Sequence, residues 1–125
     1  MINLEKYNSL VIGMFNELNI SEIKYCVLRN YENIYSGNEH DIDLYINHID
    51  KNKSLQLLNS YFSNIHGISK VNVRRTKEFI SYCLIESENF SFTVKIDIFF
   101  SIQWRANEYL KQEDFLVDCK GYGNF

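Results

Sequence analysis

The stretch HDIDLYI, from His40 to Ile46, sets two acidic side chains inside a run that otherwise has the composition of a buried strand. Strand interiors disfavour Asp, and burying an unpaired carboxylate is costly. Because side chains alternate between the two faces of a strand, the apolar residues share one face: Ile42, Leu44 and Ile46. The opposite face carries Asp41, Asp43 and Tyr45. The pattern predicts a strand with one face under helices and a pair of carboxylates on the other.

A later stretch, FTVKIDIFF from Phe92 to Phe100, repeats this alternation. Its apolar face carries Val94, Ile96 and Ile98, and its second face carries Thr93, Lys95 and Asp97. If the two strands are neighbours, three carboxylates converge on one open sheet face. Like charges that close repel each other, so a positive group is needed between them. A hard cation with oxygen ligands, Mg²⁺ or Mn²⁺, fits this donor set. The alternative is an exposed strand with alternating acids, in which Asp97 and Lys95 form a surface ion pair.

The periodicity of the remaining sequence predicts an α+β or mixed α/β fold, with helices on one face of a mixed sheet and the carboxylates on the other. Helices are predicted at residues 3–18, after Asn47 or Asp50 up to Gly67, and at residues 107–115. Strands are predicted at Ile23–Asn30, residues 41–47, Lys70–Arg75, Phe79–Glu86 and Phe92–Phe100. A loop with a turn at Ser36-Gly37-Asn38 precedes the acid-bearing strand.

The 125 residues predict a single domain spanning residues 1–125, and 46% hydrophobic residues are enough to form a core. The two glycines in the final CKGYGNF suggest a domain boundary, with more protein downstream. A net charge of -3 argues against a general nucleic-acid binder. No apolar run approaches the length of a membrane helix. Three cysteines without C-x-x-C spacing predict neither a zinc site nor a disulfide framework, and a reducing cytoplasm follows as the simplest location.

The order of these elements resembles the DNA polymerase β-like nucleotidyltransferase superfamily, and in particular bacterial members of it. That superfamily has a helix, a strand, a short glycine-serine loop, a strand with an acid–apolar–acid pair, and a third acid on a later strand. The counterparts here are the strand ending at Leu28, the segment Arg29-Asn30, the DID triplet of residues 41–43, and Asp97. The resemblance runs from about Leu4 to Phe100, which is most of the chain.

The resemblance implies that Asp41, Asp43 and Asp97 are the catalytic, metal-binding residues for Mg²⁺ or Mn²⁺. It also implies a nucleoside triphosphate (NTP) as substrate, whose α-phosphate is attacked by an acceptor hydroxyl while pyrophosphate leaves. Arg29 and Asn30 stand where family enzymes carry Gly-Ser, so they either contact the phosphates in its place or leave triphosphate binding altered or lost. Lys95 either contacts a phosphate or forms an ion pair with one of the acids.

Two functions follow as expectations. The first is a metal-dependent nucleotidyltransferase that transfers a nucleoside monophosphate from an NTP to a hydroxyl of a small molecule or a protein, with a partner domain or a second copy completing the acceptor side. The acidic charge balance disfavours a nucleic-acid acceptor. The second is a catalytically impaired domain of the same fold that acts as a regulatory or interaction module. The third alternative is a generic α+β domain in which these acids are exposed surface residues without a function.

Overall fold

A mixed β-sheet covered on one face by two helices makes up the described part of the chain. The computed structural model describes residues 4–28, 41–76 and 78–101. Its helices are α1 (Leu4–Ile20) and α2 (Lys51–Asn64), with a single 3-10 turn at His48–Asp50. Its strands are β1 (Tyr25–Val27), β2 (Asp41–Ile46), β3 (Ile68–Arg75), β4 (Phe79–Glu86) and β5 (Thr93–Phe99). This architecture confirms the predicted α+β fold. The predicted helix at 107–115 and the turn at 36–38 lie outside the described residues.

The strand order in the sheet is β1-β2-β5-β4-β3. The pair β2–β5 is parallel, while β1–β2, β5–β4 and β4–β3 are antiparallel. Parallel neighbours need a long crossover connection, and here α2, β3 and β4 all lie between β2 and β5 in sequence. The two strands that carry the acids are therefore direct neighbours, although about fifty residues separate them along the chain.

The apolar faces of β2 and β5 form the floor of the hydrophobic core, as their alternation predicts. Both rows belong to one buried cluster: Ile42, Leu44, Ile46, Val94, Ile96 and Ile98. The helices cover this floor with their own apolar stripes, which include Tyr7, Leu10, Met14, Phe15, Leu58 and Phe62. Full burial of each large apolar side chain contributes about 1.5–3 kcal/mol. The burial fixes the orientation of both strands, because a slip by one residue would turn every apolar side chain out of the core.

The first strand is shorter than its sequence predicts. Helix α1 ends at Ile20, and Glu22 takes a left-handed conformation with φ 59°. The N–H of Ile23 then donates to the carbonyl of Leu18 at 2.9 Å, which is the bond of a Schellman-type helix end. Ile23 therefore completes the helix terminus instead of starting the strand, and β1 contains only Tyr25–Val27.

The two cysteines in the described part of the chain differ in their bonding. Cys26 is disulfide-bonded, contrary to the expectation that the cysteines form no disulfide framework, whereas Cys83 is free. The spacing of cysteines in a sequence does not determine which thiols the fold brings together.

Across the described ranges, no helix has both the length and the apolar character needed to cross a bilayer.

Candidate active site

Asp43 and Asp97 lie opposite each other on the neighbouring parallel strands β2 and β5. Adjacent strands are about 4.8 Å apart, and residues at the same level of the ladder point to the same face. That face is the one away from the core, because Leu44 and Ile98 at the next level are both buried under the helices. Both acids are nevertheless buried, with 3% and 8% of their surface exposed. The structure thus brings two of the three predicted carboxylates together.

The third predicted acid, Asp41, lies at the next same-face level of β2, where its register partner on β5 is Lys95. Asp41 is exposed, in contrast to Asp43. The polar face therefore has a graded arrangement. Asp41 and Lys95 form its open level, and Asp43 and Asp97 form its buried level.

Both carboxylate oxygens of Asp97 have partners within the sheet. The hydroxyl of Ser81, which is paired with Asp97 across β4 and β5, donates to Oδ1 at 2.6 Å. The ammonium of Lys95 lies 3.5 Å from Oδ2. Sequence reasoning predicted an ion pair between Lys95 and one of the acids as one of two alternatives, and the structure shows this pair. It did not identify Ser81. The alternation of FISYCLIE assigns a face to Ser81, but only the β4–β5 register brings it to Asp97.

Burial raises the pKa of Asp97 above its usual value, and the nearby charge of Asp43 raises it further. The hydrogen bond from Ser81 and the ammonium of Lys95 both act in the opposite direction. The net result is a carboxylate that holds a proton more tightly than an exposed Asp would. Such a group is a better proton acceptor than an ordinary carboxylate near neutral pH, as general base catalysis requires.

Aromatic side chains flank the buried level of the polar face. Tyr45 and Phe99 are register partners one level beyond the acids, with 3% and 4% of their surface exposed. Phe79 on β4 packs against Phe99 with ring centroids 5.1 Å apart. These rings exclude water from one side of the carboxylates, and a carboxylate in low-dielectric surroundings is costly to ionise.

A third buried carboxylate, Glu86 at the end of β4, shows how this fold holds a structural acid. Its oxygens accept five hydrogen bonds, from the backbone N–H groups of Glu88, Asn89 and Ser91, the Ser91 hydroxyl and the Lys6 ammonium. Burial raises its pKa, but these donors outweigh that effect and lower the pKa to about 2. Glu86 organises the β4–β5 turn and ties it to α1. The pKa of Asp97 is shifted in the opposite direction, because Asp97 has fewer donors than Glu86 to offset its burial.

The carboxylates fit a divalent cation by the chemistry of their donors. Oxygen ligands from two or three carboxylates, with the remaining positions left to water or phosphate, suit Mg²⁺ and Mn²⁺. Among the described residues, no group of three His, Cys, Asp or Glu side chains is already arranged to hold a metal ion. The Asp97 side chain is instead turned toward Ser81 and Lys95. The Asp41 side chain lies on the exposed level of the face. The predicted three-ligand set stays a prediction.

The remaining predicted site residues, Arg29 and Asn30, lie outside the described residues. The last described residue before them is Leu28, whose N–H donates to the carbonyl of Asp43 at 2.8 Å. The chain therefore enters this segment directly beside the buried acid. The sequence-based prediction that Arg29 and Asn30 contact phosphates stays open.

A cavity of about 240 Å³ lies on the other side of the sheet, between α1 and α2. Its lining consists of Glu17, Leu57, Ser60, Tyr61, Asn64 and Ile65. None of the predicted site residues contributes to this cavity. Among the described residues that line it, Glu17 is the one carboxylate and none is cationic, which distinguishes the cavity from the carboxylate face.

Comparison of the chain with protein-family models, with curated proteins and with solved structures finds no match. The class of protein is therefore defined by the fold and by the arrangement of residues on it. It is an α+β domain whose sheet face away from the helices carries a buried pair of carboxylates on parallel neighbouring strands.

Proposed function

We propose that this protein is a metal-dependent nucleotidyltransferase that transfers a nucleoside monophosphate from an NTP to a hydroxyl acceptor. The observation that carries the proposal is the pairing of Asp43 with Asp97 at one level of the β2–β5 ladder. Two buried carboxylates at one level of a sheet repel each other, and a divalent cation bound to both would relieve that repulsion. Their retention on the face away from the core therefore favours a functional role.

Asp43 and Asp97 are the proposed ligands of Mg²⁺ or Mn²⁺, and Asp41 on the adjoining level of β2 is the proposed third ligand. The bound ion would neutralise the charge of the phosphates and of the leaving pyrophosphate. Asp97 would also orient the acceptor hydroxyl or accept its proton as that oxygen attacks the α-phosphate. The P–O bond to pyrophosphate breaks as the new P–O bond forms, and positioning supplies much of the rate enhancement.

Arg29 and Asn30 are the proposed triphosphate contacts, since the chain passes beside Asp43 immediately before them. The guanidinium of an arginine binds two phosphate oxygens at once. The acceptor is proposed to be a small molecule or a protein hydroxyl. A partner domain or a second copy of the chain would form the acceptor side.

The cytoplasm is the proposed location, because a nucleotidyltransferase needs a supply of NTPs. The disulfide at Cys26 opposes this location, since reducing compartments keep most thiols reduced. Thiol alkylation of the protein in intact cells, followed by mass spectrometry, tests it. An unmodified, disulfide-linked Cys26 would contradict a reducing location.

A second candidate function is a binding or regulatory module of the same fold without catalysis. The observation that favours it is the occupation of both Asp97 oxygens by Ser81 and Lys95. A catalytic carboxylate fully engaged with its own protein would have to give up a partner before it could take a metal or a substrate hydroxyl.

Pyrophosphate release from ATP, CTP, GTP and UTP, measured with Mg²⁺ and with a panel of sugar, sugar-phosphate and protein acceptors, tests the proposal. We expect release with at least one pair of substrates, and loss of release in Asp43→Asn. Asp50→Asn is the matched control, because the Asp50 side chain makes no capping hydrogen bond at the start of α2. Nucleotide binding without pyrophosphate release would favour the module. Absence of metal and nucleotide binding would contradict both functions.

A further inference from the structure

We propose that Lys95 is a built-in counter-ion of the carboxylate face, and that an incoming divalent cation displaces its ammonium group. This inference rests on the proposed function, because it concerns the same metal site. It assigns to Lys95 control over metal affinity, in addition to any contact with phosphate.

The position of Lys95 among the acids is the first observation. It faces Asp41 across the β2–β5 ladder and precedes Asp97 by two residues on the same face of β5. Its ammonium lies 3.5 Å from Asp97 Oδ2. Asp43 is the register partner of Asp97. The ammonium therefore pairs with Asp97, on the face that also carries Asp41 and Asp43. A divalent cation on this face would neutralise the carboxylates more completely than one ammonium does.

The second observation is that the two partners of Asp97 differ in their distance from the carboxylate and in their exposure to solvent. The Ser81 hydroxyl donates at 2.6 Å from a half-buried position on β4, which lies between β5 and β3 in the sheet. The Lys95 side chain is 50% exposed and reaches the carboxylate at the longer distance of 3.5 Å. Half-exposed lysine ion pairs are weak because water competes for both charges and the long side chain loses freedom. Lys95 is thus the partner that can leave, while Ser81 keeps the carboxylate in place.

Displacement also gives the released ammonium a new role on the same face. Once a divalent cation neutralises Asp97, the four-carbon stem of Lys95 allows its charge to move to the open level beside Asp41. A free ammonium at that level is suited to an anionic group arriving from solvent, such as a phosphate. The ion pair and the phosphate contact, which are alternatives in the sequence, then become two successive states of one side chain.

Mn²⁺ binding without nucleotide tests this inference, measured by the loss of the electron paramagnetic resonance signal of free Mn²⁺. Lys95→Met keeps the length of the side chain and removes its charge. Lys70→Met is the matched control, because Lys70 is exposed on β3, two strands away from β5 in the sheet order, and its loss changes the net charge equally. We expect Lys95→Met to bind Mn²⁺ about two- to five-fold more tightly than the wild type, as removal of a weak competing ion pair predicts. Lys70→Met should bind as the wild type does.

Each other result has a defined meaning. Equal or weaker Mn²⁺ binding in Lys95→Met, with clear binding in the wild type, overturns the inference and leaves the metal site of the proposed function intact. Equal tightening in Lys70→Met also overturns it, since net charge alone would then explain the effect. Failure of both the wild type and Lys95→Met to bind Mn²⁺ contradicts the proposed function itself, and the inference with it. Binding by Lys95→Met alone supports the inference in its strongest form.

Discussion

Replacement of Asp97 by Asn should make the metal-free protein more stable, although it removes an ion pair. Asn keeps the shape of the side chain and an oxygen that can accept the hydrogen bond from Ser81. It removes a charge that burial and Asp43 both disfavour. A surface acid held only by an ion pair would behave in the opposite way, because its neutralisation would cost stability.

The size of the effect follows from the sheet geometry. Two unit charges about 5 Å apart, the spacing of neighbouring strands, repel by about 3 kcal/mol at an effective dielectric constant of about 20. The half-exposed ammonium of Lys95 offsets about 0–1 kcal/mol of this repulsion. The hydrogen bond from Ser81 offsets about 1 kcal/mol more, because it is stronger to a charged acceptor than to a neutral one. We therefore expect Asp97→Asn to stabilise the fold by about 1–2 kcal/mol near neutral pH.

Urea unfolding in a buffer with a metal chelator, followed by circular dichroism from pH 7 down to pH 4, measures this difference. The pKa of Asp97 is higher in the folded protein than its usual 3.8. Protonation of Asp97 therefore favours folding, and this contribution is complete below 3.8 and lost as the pH rises through the folded-state pKa. The wild type should consequently approach Asp97→Asn in stability as the pH falls. A variant less stable than the wild type at pH 7, or a difference that does not change with pH, would show that the Asp97 charge does not destabilise the fold.

Three further predictions concern other parts of the fold. Glu86→Gln should destabilise the protein at neutral pH, because an amide cannot accept the five hydrogen bonds equally well. In the wild type, the stability that the Glu86 carboxylate contributes should be lost as the pH falls from 4.5 toward about 2, and acid unfolding measures this loss. Gly13→Ala should cost about 1–2 kcal/mol in thermal unfolding, because its new methyl group would collide with the hydroxyl of Tyr61 and disturb the bond from that hydroxyl to the helix. The cost of Gly13→Ala should be smaller in a Tyr61→Phe background but should not vanish, because the ring carbon Cζ stays 2.9 Å from the new methyl group. Ser81→Ala should weaken Mn²⁺ binding by about three- to ten-fold, because Asp97 loses its fixed orientation; Ser81→Thr should restore it, and Ser69→Ala on exposed β3 should have no effect.

Much of the fold follows from local patterns in the sequence. The alternation in DIDLYI and in TVKIDIF determines which residues face the core, because the buried apolar rows leave only one orientation for each strand. The helical stripes of α1 and α2 give the matching cover. These signals depend on neighbours two to four residues apart, so a single sequence is enough to read them.

The parts that needed the structure depend on contacts between distant residues. The parallel register that pairs Asp43 with Asp97, and the approach of Ser81 to Asp97, depend on how strands far apart in the chain align. The role of Glu86 depends on a turn whose backbone N–H groups converge on one carboxylate. The shortened β1 shows the same limit, since the end of α1 extends into a segment with strong strand propensity.

An anomalous difference map from a crystal soaked with Mn²⁺ would locate the cation relative to both acids. We expect a peak within about 2–2.5 Å of a carboxylate oxygen of Asp43 and of one of Asp97, the range for divalent cations on oxygen ligands. We also expect the ammonium of Lys95 to have moved away from Asp97. A map with no peak between the two carboxylates, and with Lys95 still paired to Asp97, would rule out a shared metal site at Asp43 and Asp97.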